Sequence, residues 1–231
     1  MFNIFDVECT KKDVLKKALT HPSYTKDMGL GHIESYERLE FLGDAVLKLT
    51  MSKLLYDKYP DYEEGELSKM RSILVSDAIL ADIAVKIGIP DRLILSKSEA
   101  ATGGRTRSSN IACALEATLG AYYLDGKIDD VEHFIKENLL PLSDDIVEHF
   151  VKYNAKAVLQ EYTQKQDNSV PVYTTLGMTG PQHKPVFEVS VTYNDKELAR
   201  GSGHTKKEAQ QNCAFKACVE LGLTDEECTN E

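Results

Sequence analysis

Apolar residues recur every three to four positions through roughly the first 150 residues, the period of helices that each bury one face. The spacing predicts helices over Asp13–Leu19, Tyr36–Tyr56, Leu67–Ile87, Asn110–Leu124, Val131–Asn138 and Leu142–Tyr153. His21-Pro22 stops the first, Gly88 with Pro90 closes the third, and Gly126 follows the fourth. Beyond Tyr153 the pattern changes. Asn154 can cap a helix running to about Gln164. Pro171–Leu176 then reads as a strand. Pro185–Tyr193 alternates, with Phe187, Val189, Val191 and Tyr193 on one face and Glu188, Ser190 and Thr192 on the other. Asn194-Asp195 turns the chain into a third strand, Glu197–Gly201. Thr205–Leu221 is a closing helix, with Thr205 and Glu208 in capping-box spacing. An all-helical part is followed by a smaller part ordered α-β-β-β-α.

One predicted helix opens with YERLEFLGD, Tyr36 to Asp44. With Glu37 set at 0° and each residue advancing about 100°, Glu40 falls at about −60° and Asp44 at about −20°. Leu39, Leu42, Ala45, Val46 and Leu49 fall between about 80° and 200°, which makes that arc the expected core face. Like charges at this spacing cost a few tenths of a kcal/mol each, partly offset by Arg38 and Lys48. A solvated charged face is the ordinary reading of such a stripe. Phe41, near 40°, does not fit it. It sits on the carboxylate side, where the subunit's own core cannot take it. An aromatic among acids points to a partner surface beside a charged site.

Composition narrows the class. The 231 residues suffice for one large or two modest domains, and 42% hydrophobic with 28% charged residues is ordinary for a globular chain. No apolar run approaches the roughly 18 residues of a membrane span, and the N-terminus lacks an apolar signal core. The five cysteines are scattered without C-x-x-C spacing, so they read as reduced thiols in a cytoplasmic protein rather than a zinc site. The net charge of −10 argues against a generic nucleic-acid coater. It is unevenly spread, however. Residues 1–152 carry 19 basic against 26 acidic residues, residues 154–222 carry 8 against 7, and the tail 223–231 adds four acids.

A second acid lies in SNIACALEATLGAYYLDG, where Ile111, Leu115 and Leu119 recur at i,i+4 and Glu116 stands beside them. A third, Glu64, lies in YEEGELSKMRSILVSD. Taken singly, each reads as a surface carboxylate. Clustered carboxylates without a zinc-like His/Cys set suit a hard, oxygen-preferring ion such as Mg²⁺. That is a setting for phosphodiester hydrolysis.

ERLEFLGDAVL, 37–47, resembles the signature of the ribonuclease III family of double-stranded-RNA endonucleases. ALTHPSY, EGELSKMRSILVS and LEATLGAYYLDG follow the family's order, and the α-β-β-β-α part with GSGHTKKEAQQNCA resembles a double-stranded-RNA-binding domain. The resemblance runs from Leu15 to Leu221. It implies an all-α nuclease domain over 1–152, a small α+β RNA-binding domain over 153–222, and an acidic tail. It implies a Mg²⁺-dependent homodimeric endoribonuclease, with Mn²⁺ as a substitute ion, that processes structured RNA precursors. Glu40, Asp44 and Glu116 match the family's metal-binding and catalytic carboxylates; Glu37 and Glu64 match catalytic acids nearer the scissile strand; Phe41 matches a residue that packs into the partner subunit. The chain departs from the pattern at Cys113, three residues before Glu116, where the family usually has an acid. A neutral thiol is a poor Mg²⁺ ligand. That leaves an alternative: a duplex-RNA-binding protein with a weakened nuclease.

Lys206 and Lys207 fall in the first turn of the last helix, where cations are unfavourable for the helix alone. With the free N–H groups there they form an anion site suited to a phosphate track, which Gln210 can join one turn on. The resemblance places Gln160 and His183 against successive minor grooves of A-form RNA. His21 reads as a structural residue at a helix end. The loop ATGGRTRSS reads as flexible, with Arg105 and Arg107 open to phosphate.

Overall fold

The computed structural model describes residues 7–181 and 185–224. Twelve α-helices occur among them: α1 (Lys12–Ala18), α2 (Pro22–Asp27), α3 (Glu37–Lys58), α4 (Glu64–Leu74), α5 (Asp77–Lys86), α6 (Ile89–Arg92), α7 (Lys97–Ala101), α8 (Ser108–Leu124), α9 (Ile128–Asn138), α10 (Leu142–Glu148), α11 (Phe150–Asp167) and α12 (Lys206–Glu220). Between α11 and α12 run β1 (Val172–Thr179), β2 (Val186–Tyr193) and β3 (Lys196–Gly203). The chain divides into two compact units, Met1–Ser143 and Asp144–Glu231. The change of pattern expected at Tyr153 comes later than this division. The reason lies in α11: Phe150–Tyr153 form its opening turn, and Val151 packs on the core of the second unit. Asn154, expected as a cap, breaks the backbone angles inside α11 (φ −123°, ψ 22°), and the helix resumes beyond it.

The first unit is built around α8. Eleven of its residues are buried, from Asn110 to Tyr122, because the helix is apolar nearly all round and belongs in an interior. Helices α1, α3 and α5 pack against it. The helix expected over Leu67–Ile87 is two. Val75 ends α4 and Ser76 adopts an extended conformation (φ −73°, ψ 150°) ahead of α5. Apolar spacing continues across the break and hides it, while serine's preference for helix caps over interiors favours it. His21 does cap a helix, but at the start of α2 rather than the end of α1: its Nδ1 accepts from Ser23 N at 3.0 Å.

Helix α3 departs from the expected core face. Leu39, Gly43, Val46, Leu47, Thr50 and Met51 are buried, an arc of about 180° to 320° on the same wheel. Ala45 is exposed, and Leu49 is 74% exposed. The helix therefore carries two apolar arcs, only one of which its own subunit covers.

The second unit is a three-stranded antiparallel sheet, order β1-β2-β3, with α11 and α12 packed through Leu159, Val189, Val191, Ala214 and Ala217. Asn194 and Asp195 both have left-handed φ (50° and 58°), as a two-residue hairpin requires. Thr205 Oγ1 accepts from Glu208 N at 3.1 Å, and Glu208 returns to His204 N at 2.8 Å, so the capping exchange forms one residue out of register.

Candidate functional site

The crossing of α3 and α8 creates the site. A Cβ on Gly43 would run into the Glu116 carbonyl oxygen, and one on Gly120 would lie 2.5 Å from Leu39 O. Only glycine at both positions lets the two backbones approach this closely. Glu40 precedes Gly43 by three residues and Glu116 precedes Gly120 by four, so each acid shares a face with its glycine. The crossing brings together ligand atoms of Glu40, Cys113 and Glu116, all within 4.8 Å of one another.

The electrostatics report unneutralised negative charge. The Glu116 carboxyl is pushed up to about 8, first by burial, then by the charges of Asp44, Glu40 and Asp77, with Lys48 opposing. The Cys113 thiol is pushed well above its ordinary range by burial, then by its hydrogen bond with Glu40 and the charges of Glu40, Glu116 and Asp77. Asp44 Oδ2 accepts from Lys48 Nζ at 2.8 Å, one turn along α3. Sequence reasoning missed Asp77. It opens α5, a separate helix packed on α8, and no periodicity argument links it to α3.

Two predicted acids lie outside this group. Glu37 is exposed and accepts from Ser35 Oγ at 3.0 Å. Glu64 starts α4, accepts from Ser68 Oγ at 2.7 Å, and borders a cavity of about 540 Å³ lined also by Leu55, Tyr56, Tyr59, Leu67 and Arg71. Phe41 is 81% exposed and Tyr56 72%. With Ala45 and Leu49 they span an arc of about 40° to 120° on α3.

The loop expected to be flexible is tied down. Arg105 donates to the carbonyl oxygens of Pro90 and Leu93, and Arg107 pairs with Glu99 at 2.6 Å. Both guanidinium groups are engaged within the unit, because the loop packs back over the chain that precedes it. In the second unit Lys206 and Lys207 are exposed at the first two positions of α12. Gln210 accepts from Lys156 Nζ at 2.7 Å, and that nitrogen lies 4.9 Å from the Tyr173 ring centroid. Gln160 is exposed on α11. His183 lies outside the described residues.

The donor chemistry at the crossing fits a divalent cation. Half-buried carboxylates gather with one lysine to balance them, and a cation would relieve the charge that raises Glu116. Among the described residues no helix is long and apolar enough to cross a membrane.

Residues 11–142 match the family model described as Ribonuclease-III-like, and residues 155–221 match the double-stranded RNA binding motif. The chain is 40% identical to Ribonuclease 3 of Listeria welshimeri, across 95% of this chain and 93% of that protein. It is 38% identical to Ribonuclease 3 of Staphylococcus saprophyticus, across 92% of this chain and 86% of that one. A solved nuclease domain of ribonuclease III from Campylobacter jejuni, described for flexibility in a region involved in dimer formation, superposes with a TM-score of 0.54 at 35% identity. It covers 59% of this chain and 94% of that one.

Proposed function

The chain belongs to the ribonuclease III family of double-stranded-RNA endoribonucleases, and from that premise we propose that Glu40, Asp44 and Glu116 hold its divalent ion and that it works as a homodimer. The observation that carries the metal reading is the convergence of Glu40, Cys113 and Glu116 at the α3–α8 crossing. When bound, Mg²⁺ (or Mn²⁺ in its place) supplies Lewis-acid activation of a water and screening of phosphate charge. The chain's own residues do the rest. Glu40 and Glu116 present carboxylate oxygens across the crossing, and Asp44, paired with Lys48, adds its charge at Glu116. Burial and neighbouring charge raise Glu116 to about 8, and a cation held there would favour its ionised form. Glu37 and Glu64 lie further out, where they can meet the RNA strand rather than the ion. Lys206, Lys207, Gln210, Gln160 and His183 would track duplex backbone and minor groove, by shape rather than sequence. The substrates this suits are duplex stretches of structured RNA precursors, met in the cytoplasm.

The dimer reading rests on α3. Its open arc of Phe41, Ala45, Leu49 and Tyr56 lies next to the cavity bordered by Leu55 and Tyr56. Phe41 stands near one end of the helix and the cavity near the other. A two-fold interface pairs such unlike features reciprocally. Phe41 of each copy would then fill the cavity of the other.

The test is cleavage of long duplex RNA with and without Mg²⁺. Asp44→Asn and Glu116→Gln should each lower the cleavage rate at least about 100-fold, with duplex binding in Ca²⁺ unchanged. Near-normal turnover in either variant would remove that carboxylate from the site. The binder with a weakened nuclease, suggested by Cys113, is not favoured; an inactive wild type at every Mg²⁺ concentration would restore it.

A further inference from the structure

Cys113 gives the site a donor that Mg²⁺ uses poorly. It stands three residues before Glu116 on α8, so both side chains face α3 at the crossing. The other thiols of the described residues lie elsewhere. Cys9, Cys213 and Cys218 are buried, with sulfur atoms directed at the carbonyls of Lys11, Ala199 and Ala155. Cys113 is half-buried, and its sulfur points to Glu40.

Mg²⁺ favours six oxygen donors and keeps much of its water. Zn²⁺ and Co²⁺ are borderline-soft and bind thiolate and carboxylate together. Three protein donors with a position left open is their usual arrangement at an accessible site. The triad at the crossing has that composition: one sulfur and two carboxylates within 4.8 Å.

We propose that Cys113 makes this site select a thiophilic divalent ion: Cys113 Sγ, with one carboxylate oxygen each from Glu40 and Glu116, holds Zn²⁺ or Co²⁺ in preference to Mg²⁺. The inference rests on the metal reading above. On binding, the S–H bond breaks, its proton passes to solvent, and sulfur donates its electron pair to the ion, with no change of oxidation state. The ion carried by the nuclease then depends on the supply of thiophilic metal as well as of Mg²⁺.

Co²⁺ provides the probe, because thiolate ligation produces a near-ultraviolet charge-transfer band that carboxylates do not. The full chain, stripped by chelator, is titrated with Co²⁺. The wild type should develop the band at one ion per chain, and Zn²⁺ should abolish it while excess Mg²⁺ should not. Cys113→Ser should lose the band and bind Co²⁺ at least about 10-fold more weakly, with Mg²⁺ affinity, read by calorimetry, unchanged. Glu116→Gln should weaken both ions. A band that survives in Cys113→Ser comes from another thiol and overturns the proposal. If no band forms while Mg²⁺ binding still depends on Glu116, thiol selection fails and the metal reading stands. If no ion depends on Glu116, both fail.

Discussion

At the α3–α8 crossing a Cβ on Gly43 would strike Glu116 O; between β3 and α12 a Cβ on Gly201 would strike Cys213 N. Both units thus use an absent side chain to bring two backbones together, yet what they bring to the seam differs. In the second unit the seam is filled by Val191, Ala199, Ala209 and Cys213, with no carboxylate among them. Exposed Asp167 accepts from Asn194 and Ser169, which hold its carboxyl down to about 2. In the first unit the seam carries Glu40, Cys113 and Glu116, and the Glu116 carboxyl is driven up to about 8. A stable domain has no use for gathered like charge, so the contrast sets a seam that serves packing against one that gathers charge for the proposed ion.

The strongest way to break the comparison is to fill the seams. Gly43→Ala should destabilise the first unit by about 3 kcal/mol, since the obstruction is backbone and cannot rotate away. Cleavage should fall with it. Gly201→Ala should instead impair duplex binding. Urea unfolding followed by circular dichroism checks the first, and an unchanged midpoint would mean that the helices part without cost.

Next in size, Phe41→Glu should weaken self-association about 100-fold, the scale of an interface hot spot given a charge. Sedimentation at low concentration reads this, and an intact dimer would remove Phe41 from the interface.

Replacing Lys206 and Lys207 with Ala should weaken binding alike for all duplex sequences. The salt slope should shrink by about one per lost phosphate contact. An unchanged slope would leave the two lysines merely solvated.

A further effect is in pH. Burial and neighbouring charge raise the Glu116 carboxyl from its ordinary 4.5 to about 8 in the folded chain. Over that window the folded state holds the extra proton, so metal-free stability should fall as pH rises from about 4.5 through about 8. Divalent metal should flatten the slope. Asp167 works in the opposite sense: its contribution is present above 3.8 and lost as pH falls through about 2. Thermal melts in chelator and in Mg²⁺ across this range test both signs.

Local chemistry alone determined most elements of this protein. The long helix beginning at Glu37, the alternation of Phe187 to Tyr193, the Asn194-Asp195 turn and the Thr205 cap each depend on residues within a few positions of one another. The acids Glu37, Glu40 and Asp44 were legible for the same reason, being neighbours on one helix. What lay between elements was not. Periodicity finds the apolar arcs of α3 but not which arc a neighbouring helix covers, so Ala45 and Leu49 were assigned to a core that does not include them. The break at Val75-Ser76, the tethering of Arg105 and Arg107, and the charge of Asp77 at the site all depend on chain that is distant in sequence. Only the tertiary structure decided that Glu40, Cys113 and Glu116 meet, because that depends on how closely two helices approach, and Gly43 and Gly120 set that distance.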